Sequence, residues 1–423
     1  MPFATSYLEK HQKIKFEVTE APQGLLCYIV IIPAYREPDV LSTLLSIKNS
    51  KPVDANIEVY VLFNYPEGES AETKNEAGLQ YAQTSEWCNT NSTSSLLFKA
   101  FLAPDLPQKH AGVGLARKIL MDLAVERFNN INNPNGIILS LDADTLVPDN
   151  YFTGLHKRNT ESPATNCFLF NFEHATSGFA YPANVYAAAT LYELHLRYYK
   201  QILESTGFPY YYYTIGSAFA VRASVYVKSG GMNKRKAGED FYFLQKIYMH
   251  DNIRFLPEII LKPSSRISDR VPFGTGAAIT KIVGGANSTY STYHPGLFFM
   301  LKDFFSLLPL FYTMKPEEIG NKCMGLPPVL CRFLETNNYL FNINEIKQNT
   351  ASLPSFIKRF YQWFDAFKVI KFLNYARENG SYNIDVCTAV NLYLGNGNEL
   401  NASELLRALR DVDRGDHAYR GSC

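Results

Sequence analysis

The pattern of apolar residues divides the chain into regions of different character. In the first 150 residues, apolar runs are separated by stretches in which apolar residues recur at helical spacing. The runs predict strands and the stretches predict helices, and strands that alternate with helices are typical of parallel βαβ units. The predicted strands are Leu25–Pro33, Ile57–Phe63, Leu96–Ala103 and Ile137–Asp144, and the predicted helices are 39–50 and 112–128. We therefore expect an α/β fold.

The pattern changes after Asp149. Short strands mix there with helical stretches, including a Tyr-rich one at 186–203 and another at 241–249. Beyond about residue 300 the pattern is helical. The stretch Ser355–Arg377 places aromatic residues on one face of a single predicted helix, and Asn401 with Glu404 has the spacing of a capping box at the start of a last helix.

Composition excludes some classes of protein. The 423 residues carry 41 basic and 40 acidic side chains, so a net charge of +1 gives no electrostatic reason to expect a nucleic-acid partner. No uncharged run approaches the length of a spanning helix, and residues 1–20 do not resemble a secretory signal. The 7 cysteines lack CxxC spacing and predict reduced thiols. We expect a cytoplasmic protein.

Two carboxylates follow the apolar run at 137–141. The predicted strand includes Asp142 and Asp144, so their side chains are expected to point to the same face at the carboxyl edge of the sheet. Magnesium and manganese take oxygen ligands, and magnesium is usually held by one or two carboxylates together with substrate phosphates. The pair therefore predicts a divalent cation and a phosphorylated ligand, and the alternative for such a triplet is a solvated turn or helix cap.

Four segments share one order and spacing with a known family. They are Ile32-Pro33-Ala34-Tyr35-Arg36-Glu37, Gly112 to Lys118, Leu141-Asp142-Ala143-Asp144, and Gly230-Gly231-Met232 followed by Gly238-Glu239-Asp240. Together they resemble a family-2 type glycosyltransferase of the GT-A fold over about residues 25–275. The resemblance implies a Rossmann-like, mostly parallel sheet flanked by helices, with an α-helical C-terminal extension. It also implies transfer of a sugar from a nucleotide-diphosphate sugar to an acceptor hydroxyl.

The resemblance implies roles for single residues. Asp144 would bind the metal ion, Mn²⁺ or Mg²⁺, and Asp142 would contact ribose or reach the metal through water. Asp240, with Glu239 beside it, would be the general base of an inverting reaction, although a solvated helix cap is the alternative for this pair. Further contacts to the nucleotide sugar are expected from Pro33, Ala34, Tyr35, Glu37, Asn64, Arg117, Ala143, Gly216, Arg266 and Arg270.

Several of these residues also have plain structural interpretations. Glu37 could accept a hydrogen bond from ribose or cap a helix, and the glycines before Arg117 could cradle a phosphate or mark a turn. Arg266 and Arg270 could grip a pyrophosphate or an anionic acceptor, or pair on the surface with Asp269 or Glu258. His294 could complete the metal shell or be structural.

The chain also departs from the family pattern. The second strand ends at Asn64-Tyr65-Pro66 rather than in paired acids, so the nucleobase, uridine or guanosine, is left open. The QxxRW motif of processive members is missing after Asp240, which favours a non-processive enzyme. The predicted parts are an N-terminal extension (1–24), a nucleotide-sugar-binding part (25–150), an acceptor-binding part (151–298) and a helical C-terminal region (299–423).

Two alternatives to this function stay open. A nucleotidyltransferase could use a similar fold and metal. The other alternative is an inactive GT-A-like scaffold at a membrane surface. The stretch Ser355–Arg377 suggests it, because this stretch carries both aromatic and basic residues, as interfacial helices do. The acceptor is unknown and could be a saccharide, a small anionic molecule or a lipid-linked sugar, the last of which would bring peripheral contact with the inner face of a membrane.

Overall fold

The computed structural model describes residues 2–22, 25–250, 252–268, 270, 274–285, 289–380, 382–395 and 399–415. The chain forms two compact units. The first comprises Met1–Tyr181 and Thr214–Thr280, and the second comprises Pro182–Tyr213 and Lys281–Cys423. These boundaries differ from those of the four predicted parts, whose assigned roles stay a prediction.

A mostly parallel sheet of eight strands forms the core of the first unit in the described part of the chain. Its order is β3-β2-β1-β4-β7-β6-β8-β5, in which β1 is parallel to β2 and β4, β2 is parallel to β3, and β6 is parallel to β8. The strands are β1 Leu26–Ala34, β2 Asn56–Pro66, β3 Leu96–Leu106, β4 Ile137–Ser140, β5 Thr145–Leu146, β6 Cys167–Phe172, β7 Phe219–Arg222 and β8 Ile253–Pro263. The predicted α/β fold class is confirmed.

Helices of the first unit flank this sheet. They are α1 Thr5–His11, α2 Val40–Lys48, α3 Ala71–Asn91, α4 Val113–Asn130, α5 Tyr151–Glu161, α7 Ala223–Lys228 and α8 Glu239–Tyr248. α6 Ala183–Ser205 belongs to the second unit, and α9 Thr275–Val283 leads from the first unit into the second. Strands β1, β2 and β4 are almost wholly buried, which explains their continuous apolar sequences.

The two aspartates do not extend the fourth strand as expected. β4 ends at Ser140, and the chain turns where the Thr145 amide donates to the Asp142 carbonyl at 3.1 Å. The Thr43 hydroxyl fixes the same turn by donating to the Ala143 carbonyl at 2.9 Å. The prediction that Asp142 and Asp144 share one face by strand alternation is therefore wrong, since both lie in a loop at the carboxyl end of β4.

The second unit is mainly helical. Besides α6, it contains α10 Pro295–Ser306, α11 Leu308–Phe311, α12 Pro316–Met324, α13 Pro328–Thr336, α14 Tyr339–Gln348, α15 Leu353–Trp363, α16 Ala366–Glu378, α17 Val386–Leu394 and α18 Ala402–Arg414. A short antiparallel pair, β9 Ser291–Tyr293 and β10 Asn383–Asp385, completes it. None of the described helices is both long and apolar enough to cross a bilayer.

The single helix predicted at 355–377 is two helices. α15 ends at Trp363, and Asp365 begins α16 by accepting a hydrogen bond from the Lys368 amide at 2.9 Å. The aromatic face packs inside the second unit, where Phe360 lies 5.8 Å from Phe304, centroid to centroid. By contrast, the capping box predicted at Asn401 and Glu404 is present at the start of α18.

Candidate active site

Arg117 joins three distant parts of the sequence in the first unit. It lies in the first turns of α4 and its side chain is 3% exposed. One guanidinium nitrogen donates to Asp142 and another to Glu239. Burial alone would lower the pKa of Arg117, but Asp142 and Glu239 reverse that effect and raise it, so the guanidinium stays charged.

Two glycines make room for these contacts. A Cβ atom at Gly216 would lie 2.5 Å from Nη2 of Arg117, and one at Gly114 would lie 2.2 Å from the Arg235 carbonyl oxygen. Neither position accepts a side chain without displacing the site. The glycines predicted at the start of α4 therefore let the first turn of that helix lie close to the segment that precedes α8.

Glu239 and Asp240 differ in their surroundings although they are adjacent. Glu239 is 2% exposed and bound to Arg117, and burial raises its pKa to about 7 against the effect of that arginine. Asp240 is half-buried and accepts from the Phe241 amide at 2.8 Å. Burial also raises the pKa of Asp240, whereas Arg117 and backbone amides, including that of Gly216, lower it. Both acids occupy the first turn of α8, where the helix dipole favours negative charge.

A second group of charges surrounds Asp144. Nη2 of Arg266 lies 3.0 Å from Oδ2 of Asp144 and 2.5 Å from Oε2 of Glu37. Nη1 of Arg270 lies 3.0 Å from the same Glu37 oxygen and donates to the Tyr35 carbonyl at 2.7 Å. These contacts connect the end of β1, the loop after β4 and the segment after β8.

Two of the structural alternatives for these residues are wrong. Asp39, not Glu37, caps α2, because it accepts from the Ser42 amide at 3.1 Å. Arg266 does not pair with Glu258, which binds Arg158 instead at 2.7 Å. The other suggested partner, Asp269, lies outside the described residues.

The carboxylates of this group resist ionisation although two arginines pair with them. Burial raises the pKa of Asp144 to about 7, with further increases from Asp142 and Glu37, and Arg266 only partly offsets them. Burial likewise raises the pKa of Glu37 to about 7. Their oxygen donors suit a hard divalent cation. Among the described residues, no group of three or more His, Cys, Asp or Glu side chains could hold a metal ion. The fit is therefore to a cation held by one or two carboxylates and by the ligand.

A shallow groove without an enclosed cavity lies beside this group, at the carboxyl ends of β1 and β2. It is lined by the predicted Ala34, Tyr35 and Asn64. The Tyr35 hydroxyl donates to Glu69 at 2.7 Å, and the Asn64 amide donates to the Ala34 carbonyl at 3.1 Å. One face of α3 completes the lining with residues absent from the predicted set, namely Thr73, Glu76, Ala77 and Gln80. Their i, i+3, i+4, i+7 spacing directly after a strand is the signal that could have identified them.

The remaining predicted residues fall in two places. Pro33 pairs with Leu62 inside the sheet, and the Gly216 carbonyl accepts from the Ser140 hydroxyl at 2.7 Å, so both belong to the first unit. His294 belongs to the second unit and caps α10, where its Nδ1 accepts from the Gly296 amide at 3.0 Å. Metal ligation by His294 stays a prediction.

Comparisons with known proteins give only distant similarity. No protein-family model and no curated protein matches the chain. A solved structure of S. aureus TarS residues 1–349 in complex with UDP-GlcNAc matches with a TM-score of 0.41 and 13% identity, covering 79% of this chain and 91% of that one. The mannosyltransferase PcManGT from Pyrobaculum calidifontis, in complex with GDP-Man and Mn²⁺, matches with a TM-score of 0.36 and 15% identity over 99% and 92% of the two chains.

A longer TarS chain matches with a TM-score of 0.38 and 15% identity over 56% of this chain. This chain spans only 36% of that protein's length. All these TM-scores lie below 0.5, so the likeness carries no argument about substrates.

Proposed function

We propose that the chain is a metal-dependent, non-processive glycosyltransferase, which moves a sugar from a nucleotide-diphosphate sugar to an acceptor hydroxyl with inversion. One observation carries the proposal: the four motif segments converge through ion pairs near the carboxyl ends of β1 and β4. In open α/β sheets, ligands bind outside the carboxyl ends of the strands. The base would lie at the carboxyl ends of β1 and β2, beside Tyr35 and Asn64, which places the diphosphate end of the donor near a cation held by Asp144.

The carboxylates that would hold Mn²⁺ or Mg²⁺ are those of Asp144 and Asp142. When bound, the cation would supply positive charge against the negative charge that develops on the departing nucleoside diphosphate. Arg266 supports this role because its guanidinium already lies against Asp144 and Glu37. Once a cation occupies the acids, Arg266 can offer its planar donors to a phosphate.

Asp240 would act as the general base. Its raised pKa makes it a stronger base than an exposed aspartate, and it is not fully buried, as contact with an acceptor requires. In this step the acceptor oxygen forms a bond to the anomeric carbon while the bond from that carbon to the phosphate oxygen breaks. The acceptor proton passes to Asp240, and Glu239 holds Arg117 in place.

The test is nucleoside diphosphate release from nucleotide sugars in the presence of Mn²⁺. UDP-GlcNAc and GDP-mannose are suitable first donors. Asp240→Asn should lower kcat by about 10²–10⁴-fold and leave donor binding nearly unchanged. Asp105→Asn, which changes an exposed acid paired with Lys74, is the matched control and should have parental activity.

Other outcomes of the same assay would replace the proposal. Release of pyrophosphate from a nucleoside triphosphate would identify a nucleotidyltransferase. Failure of the parent to bind any nucleotide sugar would favour an inactive scaffold, and liposome flotation would then test its contact with a membrane surface.

A further inference from the structure

One aromatic ring in the first unit is left entirely in water. Phe179 is fully exposed, which makes it the most exposed large apolar side chain among the described residues. Burying a phenylalanine typically contributes about 1.5–3 kcal/mol, so full exposure forgoes a stabilising contact that most rings of this chain make. The ring lies in the loop 173–181, which follows β6.

This loop is tied to the segment that carries Arg266. The Glu173 amide donates to the Leu261 carbonyl at 2.8 Å, and the Ser265 hydroxyl donates to the Ala175 carbonyl at 3.0 Å. Near the other end of the loop, the hydroxyls of Tyr181 and Ser264 lie 2.9 Å apart. Hydrogen bonds at Ala175 and Tyr181, on either side of Phe179 in the sequence, therefore fix the loop that carries it.

The same segment is also tied to the proposed metal-binding loop. The Ser264 amide donates to the Asp144 carbonyl at 3.1 Å, and Arg266 binds the Asp144 carboxylate. Tyr181 lies two residues after Phe179 and contacts Ser264. The loop that carries Phe179 is therefore linked through Tyr181 and Ser264 to Asp144, the residue that would hold the cation.

We propose that Phe179 is a stacking platform for a pyranose ring of the acceptor. The C–H face of a pyranose is apolar and packs flat on an aromatic ring, while its hydroxyls point outward to polar neighbours. Thr176 and Ser177, which precede Phe179 by three and two residues, are also exposed and carry hydroxyls of the kind that would meet them. The inference rests on the proposed function and deepens it, because it assigns the acceptor to the saccharides.

The composition of the loop disfavours the other acceptor classes. Residues 173–181 contain no lysine or arginine, so the loop offers no formal cation to an anionic acceptor. The neighbours of Phe179 are Gly178 and Ala180, so a single ring stands among small residues. A single aromatic ring matches one sugar ring in size, whereas a lipid chain needs a longer apolar surface.

The experiment compares Phe179→Ala and Phe179→Trp with the parent. The probes are methyl glycosides of glucose, galactose, mannose and N-acetylglucosamine, with glycerol as an acceptor that has no ring. Acceptor KM, kcat and acceptor-independent hydrolysis of the nucleotide sugar are measured for each variant. Phe341→Ala removes an aromatic ring that is 70% exposed on α14 and is the matched control.

The proposal predicts a selective effect on the acceptor. Phe179→Ala should raise KM for the accepted glycoside by about 3- to 10-fold, the range expected for loss of a stacking contact. Donor hydrolysis should stay within about twofold of the parent, and Phe179→Trp should restore the parental KM. Phe341→Ala should change none of these quantities.

Several results would overturn the inference. One is an unchanged acceptor KM in Phe179→Ala, and another is an equal loss of donor hydrolysis in that variant. A parent that hydrolyses donors but transfers only to glycerol, or to none of the pyranosides, would also contradict it while leaving the proposed function standing. A parent with no activity on nucleotide sugars would instead refute the proposed function itself.

Discussion

The two units each contain a group of buried charges, and the groups differ in their balance. In the second unit, Glu193 accepts from Nε of Arg197 at 2.8 Å and from Nε of Arg410 at 2.8 Å. Asp413 accepts from Nη1 of Arg197 at 2.5 Å and from the Tyr213 hydroxyl at 2.6 Å. The side chains of Glu193, Arg197 and Asp413 have no exposed surface.

The group in the first unit carries an excess of acid. It combines three arginines with five carboxylates, which leaves two negative charges when every group is ionised. In the second unit, the basic groups of Arg197, Lys200 and Arg410 face an equal number of acidic groups, those of Glu193, Glu204 and Asp413. The five carboxylates are those of Glu37, Asp142, Asp144, Glu239 and Asp240.

This difference separates a structural role from a binding role. A buried ion network that is balanced and saturated with hydrogen bonds fixes the elements that carry it, here α6 and α18. Two uncompensated charges next to a groove are instead what one divalent cation would neutralise. The balance of charge, rather than the number of ion pairs, is therefore the feature that marks the site.

The largest effect is expected from breaking the acid-rich group. Asp144→Asn should lower the rate of transfer about 10³-fold or more, because it removes the side chain assigned to the cation that stabilises the leaving group. Steady-state assays with saturating Mn²⁺ measure the loss. Asp105→Asn should remain at the parental rate, and a similar loss in both variants would mean that the effect is not local.

Breaking the balanced group should affect stability. Asp413→Asn removes one of the carboxylates that pair with the buried Arg197. Loss of one partner from a buried ion pair lowers the free energy of unfolding by about 3–5 kcal/mol. Urea denaturation measures the change in the free energy of unfolding. The control is Asp411→Asn, which removes a partly exposed pair with Arg414 and should cost less than about 1 kcal/mol. Equal changes in the two variants would refute a structural role for the network.

The stability of the ligand-free protein and that of the protein with bound Mn²⁺ and nucleoside diphosphate should depend on pH in different ways. The pKa values of Glu37, Asp144 and Glu239 are each raised to about 7 in the folded protein. The folded state then binds more protons than the unfolded chain between about pH 4 and 7, so the stability contributed by these groups falls as pH rises through that window.

Cation binding requires ionised carboxylates and should reverse this trend. The increase in Tm caused by Mn²⁺ with a nucleoside diphosphate should therefore be larger at pH 8 than at pH 6. Thermal shift measurements at both values test the sign. An increase that is larger at pH 6 would contradict the assignment of these acids to the cation.

The smallest effect should come from a second balanced group, which lies in the first unit. Lys118 binds Asp122 at 2.8 Å, and the Tyr7 hydroxyl donates to Asp122 at 2.9 Å. Tyr7→Phe removes the buried hydrogen bond donated to Asp122 and the one accepted from Lys118 at 3.2 Å, so it should cost about 1–2 kcal/mol while kcat stays parental. Chemical denaturation and the transfer assay measure the two quantities, and a loss of kcat without a loss of stability would show that the group belongs to the site.

Local patterns in the sequence predicted four of the eight described strands of the sheet and the residues proposed for the site. β1 to β4 were predictable because their runs are apolar throughout, and Arg117, Asp142, Asp144 and Glu239 lie in motifs whose order along the chain is distinctive. Asp240 belongs to the same set, although its role as base remains a proposal.

The features that the sequence could not predict depend on distant partners or on single turns. Arg266 and Glu37 are 229 residues apart, and Arg197 and Asp413 are 216 residues apart, so no local pattern reveals either pair. The early end of β4 depends on the turn closed by Thr145, and the break between α15 and α16 depends on the cap at Asp365.

The most direct test of the central claim is a measurement of Mn²⁺ binding in the presence of UDP or GDP. Electron paramagnetic resonance of free Mn²⁺ counts the ions bound per chain in the parent, Asp144→Asn and Asp105→Asn. The excess of acidic groups predicts that the parent and Asp105→Asn each bind one Mn²⁺ ion when nucleotide is present. Asp144→Asn should bind Mn²⁺ about 10- to 100-fold more weakly. Equal binding by all three proteins, or no binding by the parent with either nucleotide, would contradict the account.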